Sequence, residues 1–249
     1  MAGHSKWANI KHRKQAEDLR RGKIFSKISR MITLAAREGG GDPDGNFRLR
    51  LAIEKAKAVN MPSENIQRAI KRGTGEIEGT QYEEMIYEGY APGGVAVLLE
   101  VLTDNRNRTA GELRHLFSKH GGNLGEAGCV AWMFQKKGII TLDRARLTLD
   151  EDSLLELALE AGAEDVEWED DQVVIVCSPD QFQAVQEAVA ARNLPIVDAE
   201  VTMRASNEVK LEPEEAKKVL RLLEVLDDHD DVQAVHTNAD IPDEVLESV

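Results

Sequence analysis

The sequence has little cysteine, no long hydrophobic run and no secretory pattern at its start. Its two cysteines, Cys129 and Cys177, exclude a disulfide framework and a four-cysteine zinc site. The longest apolar candidate, Val95–Leu99, ends at Glu100, far short of the ~18 apolar residues expected of a membrane span. The first residues contain no apolar segment of the kind found in secretory signals. We therefore expect a reduced, cytoplasmic protein with no membrane partner.

The sequence also lacks the short motifs of common enzymes. It contains no G-x-x-x-x-G-K-[ST] phosphate loop and no G-x-S-x-G nucleophile motif. His115 and His120 are five residues apart, so they would lie on different helix faces, and no His/Cys group has metal-ligand spacing. The glycine-rich segment Gly121–Gly128 follows a predicted helix rather than a strand, which favours a tight turn over a dinucleotide site. We predict no enzymatic activity, no metal site and no cofactor.

Charge is distributed very unevenly along the 249 residues. The formal net charge is −14, but residues 1–72 hold 17 Lys/Arg against 7 Asp/Glu, a net +10. Residues 73–249 hold 14 Lys/Arg against 38 Asp/Glu, a net −24. A basic segment joined to an acidic remainder indicates a polyanion-binding module attached to something else. The alternative is a solvated basic helix surface without a partner.

Residues 1–78 are predicted to form a basic helical domain with an N-terminal arm. Apolar residues recur at three- and four-residue steps, which is typical of amphipathic helices. Three such helices are predicted, from near Leu19 to Gly39, at about Asn46–Val59 and at Ser63–Arg72. Ser63 is the predicted N-cap of the third helix and Gly73 its C′ residue. Short loops join the helices, so we expect a three-helix bundle with mostly basic polar faces.

From Tyr82 onward the apolar period changes to two, which is typical of strands. Tyr82–Tyr90 and Gly94–Thr103 are predicted strands joined by a turn. Thr109–Glu112 has the capping-box pattern that opens a helix, and Val130–Phe134 is a further predicted strand. The order of this segment is therefore β-β-α-β.

Residues 135–205 follow with the order βαββαβ, which is the ferredoxin-like order. The helix from Pro213 and the strand Val232–His236 do not make a domain alone, but they would complete the preceding unit. The predicted fold class is thus α+β, with an N-terminal three-helix bundle and two ferredoxin-like domains. The middle domain comprises 79–134 and 206–249, and the acidic domain 135–205 is inserted into it.

The cations of the arm and bundle can neutralise phosphates without reading sequence. Two further arginines precede a predicted helix N-terminus, where free N–H groups and the dipole favour anions. The candidate nucleic-acid-binding residues are Lys6, Trp7, Lys11, Arg13, Lys14, Lys23, Lys27, Arg30, Arg48, Arg50, Arg106 and Arg108.

Two of these assignments have structural alternatives. Trp7 either stacks on an exposed base or packs the arm onto the bundle. Arg106 and Arg108 either bind an anion or pair with the protein's own carboxylates, such as Asp104.

The acidic part argues against a nuclease. Eleven carboxylates lie between Asp150 and Asp171 with no basic residue among them. A nuclease needs carboxylates for Mg²⁺ beside its basic surface, whereas this run lies in a separate predicted domain. We interpret it as a solvated, self-repelling face that limits non-specific binding or contacts a basic partner, such as a ribosomal protein.

Several long strings resemble the YebC/PmpR family of probable transcriptional regulatory proteins, and the likeness covers essentially the whole chain. Phe47 and Ala91 depart from the family pattern, where Pro and Gly would be expected. The matching strings are Ala2–Lys14, Asn60–Pro62, Ile66–Ile70, Tyr87–Tyr90, Leu102–Thr109, Lys119–Gly125 and Val130–Phe134.

The resemblance implies a three-domain cytoplasmic protein that regulates transcription by binding DNA. Mitochondrial relatives resemble translational activators for cytochrome c oxidase, and bacterial ones are linked to ribosome function. The alternative is therefore a ribosome-associated translation factor that binds ribosomal RNA or tRNA. The oligomeric state, including a homo-oligomer, is left open by the sequence.

Overall fold

The computed structural model describes residues 21–242 and 244–245. These residues form two compact units: one is Trp132–Asn207, and the other comprises the described residues before and after it. In the larger unit the elements are α1 (Arg21–Gly39), α2 (Phe47–Ala58), α3 (Ser63–Gly73), β1 (Glu83–Ala91), β2 (Val95–Thr103), α4 (Arg106–Lys119), β3 (Asn123–Leu124), β8 (Val209–Lys210), α7 (Pro213–Asp227), β9 (Val232–Thr237) and β10 (Ala239–Asp240). In the other unit they are β4 (Phe134–Asp143), α5 (Glu151–Glu160), β5 (Ala163–Trp168), β6 (Gln172–Cys177), α6 (Phe182–Ala191) and β7 (Ile196–Ala205). Among the described helices, none is long and apolar enough to cross a membrane.

The helices α1, α2 and α3 bury their apolar faces against one another. Ile32 and Leu49 are fully buried in this core. Asn46 fixes the turn between α1 and α2, because its Oδ1 accepts from the Leu49 N–H at 3.1 Å and caps α2. Its Nδ2 donates to the carbonyl oxygens of Ala35 and Gly40 at 2.8 and 2.9 Å. One side chain therefore satisfies free backbone groups at both helix ends.

The ends of α3 differ from the sequence prediction. Ser63 is the first helical residue, and the preceding Pro62 takes the cap position without a side-chain hydrogen bond. Gly73 is the last helical residue, where a Cβ would lie only 2.4 Å from the Thr33 carbonyl oxygen of α1. Glycine is thus required at this position by the close approach of two helices, not by a left-handed cap.

A four-stranded antiparallel sheet in the order β3-β1-β2-β9 forms the centre of the larger unit. The C-terminal strand β9 pairs with β2, in a register that places Val97 opposite Thr237. The helices α4 and α7 cover this sheet through fully buried residues such as Phe117 and Leu222. The strand order is that of a ferredoxin-like sheet, but the order along the chain differs. β1 comes before β3 in the sequence, whereas the corresponding strand of a ferredoxin-like unit comes directly after it.

The predicted strand Val130–Phe134 is wrong. The third strand of this sheet is instead the short β3, and Ala131–Met133 forms a 3₁₀ turn. The buried carboxylate of Glu88 explains the difference, because it accepts from the backbone N–H groups of Gly128, Val130 and Ala131 at 2.6–2.7 Å. Those donors are therefore not used in a sheet. Burial opposes ionisation of Glu88, but the three backbone hydrogen bonds outweigh it and lower its pKa.

The unit Trp132–Asn207 is a sheet in the order β5-β6-β4-β7, antiparallel throughout, with helices α5 and α6. Fully buried Ile140, Leu154 and Phe182 come from β4, α5 and α6 respectively. The Met133 carbonyl accepts from both the N–H and the Oγ of Ser206 at 2.8 Å, so the first and last backbones of the unit lie side by side. The predicted fold class, a helical bundle with one α+β unit inserted into another, is confirmed.

Candidate nucleic-acid interface

The turn from β2 into α4 carries the two arginines predicted beside a helix N-terminus. The helix opens earlier than predicted: Asn105, not Thr109, is its N-cap, and the Asn105 Oδ1 accepts from the Arg108 N–H at 3.1 Å. The Thr103 Oγ1 accepts from the Asn105 N–H at 2.9 Å. The hydroxyls of Thr103 and Thr109 lie 2.7 Å apart and are buried, so Thr109 is not free to cap.

Asp231, which follows α7, is the centre of a buried polar cluster behind this turn. It is 2% exposed, and its Oδ2 accepts from the Thr109 hydroxyl and from Arg108 at 2.7 Å each. Its Oδ1 accepts from Arg30 of α1 at 2.7 Å. Burial opposes ionisation of Asp231, but hydrogen bonds from Thr109 and Arg30 and the charges of Arg108 and Arg30 outweigh it, so its pKa is lowered.

Arg108 is largely committed to carboxylates of its own chain. Besides Asp231, its guanidinium contacts Asp104 at 3.2 Å and Glu112 at 3.0 Å. The structure therefore favours the intramolecular alternative for Arg108. Arg106 differs, because its side chain is 63% exposed and its Nε lies 4.0 Å from Glu83.

Three cations of α1, here the α1 cation line (Lys23, Lys27 and Arg30), also contact the protein itself. The Lys23 ammonium donates to the Asp228 carbonyl at 3.1 Å, and that of Lys27 donates to the Asp227 carbonyl. These carbonyls close α7, and cations are favourable at a helix C-terminus, where free C=O groups concentrate negative charge. The α1 cation line thus attaches the bundle to the end of α7.

The two predicted arginines of α2 have separate surroundings. Arg48 bridges the exposed carboxylates of Glu38 and Glu84. The Arg50 guanidinium lies 5.5 Å from the centre of the Phe47 ring, and its Nε is buried without a hydrogen-bond partner in the described structure. Both arginines thus contact groups of the protein itself.

The five candidate residues of the arm lie outside the described residues, so their role stays a prediction from sequence. They are Lys6, Trp7, Lys11, Arg13 and Lys14.

The predictions omitted a basic surface on α3, here the α3 cation line (Arg68, Lys71 and Arg72). All three side chains are exposed, and among the residues the structure describes they form no ion pair or hydrogen bond. Their i, i+3, i+4 spacing places them on one face, opposite the buried Ile66 and Ala69. That spacing was visible in the sequence, and the exposed face can accept an external anion.

One group of side chains has the composition of a metal site. Glu112, His229 and Asp231 each offer a ligand atom, all within 4.8 Å of one another. However, both carboxylates bind the Arg108 guanidinium, and Asp231 also binds that of Arg30. Two fixed positive charges at the same oxygens oppose a further cation, so we interpret the group as an ion-pair cluster.

Comparisons with known proteins agree over nearly the whole chain. A family model for the TACO1/YebC protein N-terminal domain matches residues 5–76, and one for the TACO1/YebC second and third domain matches residues 82–239. A probable transcriptional regulatory protein of Natranaerobius thermophilus is 58% identical over 249 residues, covering 100% of both chains. One from Moorella thermoacetica is 59% identical over 251 residues, covering 100% of this chain and 99% of its own.

The crystal structure of a conserved hypothetical protein from Aquifex aeolicus has the same fold. Its TM-score is 0.80 at 50% sequence identity, and the match covers 90% of this chain and 92% of that chain. The chain is thus of the α+β class in which a helical bundle precedes one unit inserted into another. It belongs to the TACO1/YebC family, and the matched relatives are named as regulators rather than as enzymes.

Proposed function

We propose that the protein is a non-enzymatic regulator of transcription that acts in the cytoplasm and binds DNA through its basic bundle and arm. The observation that carries this proposal is the α3 cation line, three exposed cations without an internal partner in the described structure. The regulator names of the relatives support the same role.

The chemistry of this surface suits a phosphate backbone. Each Lys or Arg placed near a phosphate releases condensed counterions, which favours binding independently of sequence. In the bundle the α3 cation line is available for this, whereas the α1 cation line already contacts α7 and the loop after it. The surface therefore positions DNA, and it does not by itself read bases.

The proposal is tested with the full chain and a fluorescent 24-base-pair duplex of mixed sequence. Replacing the α3 cation line (R68Q/K71Q/R72Q) should weaken binding about a hundredfold and make the slope of log K against log[salt] shallower by about 2–3. The matched control K217Q/K218Q/R221Q removes the same charge from α7 and should change affinity only slightly. Equal losses in both variants would contradict a local contact.

The competing assignment, a translation factor on ribosomal RNA or tRNA, is tested in the same assay. We expect the duplex to resist competition by an equal mass of transfer RNA at matched salt. Preferential displacement by RNA would move the function to the ribosome. Cleavage of either nucleic acid with Mg²⁺, abolished by one carboxylate substitution, would contradict a non-enzymatic role.

A further inference from the structure

Helix α4 presents a basic face beyond its paired N-terminal turn. Its inner side is fixed by buried Thr109, Leu113 and Phe117. Helical spacing therefore places Gly111 and Arg114 on the opposite, exposed side.

Two cations, Arg114 and Lys119, lie on this face beyond Gly111. We call the exposed residues Gly111, Arg114, His115 and Lys119 the α4 basic face. Among the described residues, these three side chains form no ion pair or hydrogen bond. The carboxylate of α4, Glu112, is bound to Arg108 and to His229 at 3.0 and 2.9 Å. The face is thus positive in a part of the chain where acidic residues predominate.

Among the described residues, none explains why position 111 is glycine. It lies in the interior of a regular helix, where glycine is less stable than almost any other residue. A Cβ added there would have no described atom within 4 Å, so neither packing nor a strained backbone requires glycine. The remaining common use of glycine at such a place is to let a ligand approach the backbone closely.

We propose that the α4 basic face is a second contact for the phosphate backbone of the nucleic acid. The backbone passes over Gly111, and Arg114 and Lys119 neutralise its phosphates further along the helix. This contact rests on the proposed function and extends the binding surface from the bundle to the acidic part of the chain.

The test combines a charge variant with a variant of Gly111, using the same duplex and the full chain. R114Q/K119Q should weaken binding about tenfold or more and make the salt slope shallower by about 2. The control K218Q/R221Q removes the same two positive charges from α7 instead. Its affinity for the duplex should change less than threefold. A change of net charge alone would affect both variants equally and would overturn the proposal.

Gly111→Gln gives a second readout that separates binding from folding. Because no described atom occupies the space, glutamine should stabilise the helix and raise the urea midpoint. The longer side chain should nevertheless lower affinity about tenfold. Unchanged affinity in Gly111→Gln would overturn the close approach that we propose.

The bundle variant R68Q/K71Q/R72Q distinguishes the two proposals. Loss of binding in that variant, with normal binding in R114Q/K119Q, would overturn the α4 contact and leave the bundle as the binding surface. No binding of the duplex by the unmodified protein would overturn both.

Discussion

The α1 cation line and the α3 cation line carry the same charge in the same bundle, yet their surroundings are opposite. The first donates to the end of α7 and to the buried carboxylate of Asp231. The second is exposed and has no ion pair in the described part of the chain. Spacing along a helix therefore identifies a charged face, but the chain that packs against that face decides whether it is available to a ligand.

The largest predicted effect is a loss of stability when Asp231, the partner of Arg30 in the α1 cation line, is replaced. Asp231→Asn should lower the free energy of unfolding by about 2–3 kcal/mol, less than the roughly 3–5 kcal/mol typical of a fully buried pair, because Arg108 is partly exposed. Urea unfolding of the full chain measures this difference. Asp230→Asn removes the same charge from an exposed neighbour and should change the free energy by less than about 0.5 kcal/mol. Equal effects at both positions would show that the cluster does not hold the α1 cation line.

The acid dependence of stability should differ between the same two proteins. Because the pKa of Asp231 is lowered on folding, its contribution is fully present above its unfolded pKa, about 4, and is lost as the pH falls through the folded value. The difference in free energy of unfolding between the unmodified protein and Asp231→Asn should therefore become smaller from about pH 5 towards pH 3. Glu88 also has a lowered pKa, but both proteins retain it, so its contribution cancels. A difference that is constant with pH would mean that the contribution of Asp231 is not ionic.

A smaller effect is expected from the two lysines of the α1 cation line. Lys23→Met with Lys27→Met keeps the stems but removes the donors to the α7 carbonyls, and it should cost about 1 kcal/mol of unfolding free energy. Affinity for the duplex should stay within about threefold of the value for a control that removes two positive charges elsewhere, such as K218Q/R221Q. A loss of affinity as large as that of the α3 variant would make the two lines equivalent and would remove the contrast between them.

The smallest effect on stability is expected in the arm. Replacing Lys6, Lys11, Arg13 and Lys14 with Ala should change the free energy of unfolding by no more than about 0.5 kcal/mol for each substitution. Affinity should fall for all sequences, with a salt slope shallower by about 2–4, because phosphate contacts are lost. Salt titrations of the intact and substituted chains measure this. An unchanged slope would leave the α3 cation line as the binding element of the bundle.

Much of the architecture could be predicted from periodicity. The change from helical to strand period at Tyr82 and the unpaired helix and strand after Pro213 were sufficient to predict the insertion. The strand at Val130 was wrong because a local pattern does not reveal that Glu88, some 40 residues earlier, takes its backbone N–H groups.

The candidate site was less predictable for the same reason. Arg30 and Asp231 are 201 residues apart, so no local pattern shows that one neutralises the other. Thr109 matched a capping box, yet its hydroxyl is used by Asp231, and the shorter signal of Asn105 determines where the helix starts. Composition located the positive segment correctly, but only tertiary contacts separate its occupied cations from its exposed ones.

The paired backbones of Met133 and Ser206 have a consequence for the history and engineering of the chain. Since the Ser206 N–H and the Met133 carbonyl are 2.8 Å apart, the ends of the segment between them can be joined by two or three residues without stretching. The segment 134–205 can therefore be removed or exchanged as one piece. The rest of the chain needs a single insertion point for it, because both ends of the segment leave from the same place. A different module with closely spaced ends could be grafted at the same place.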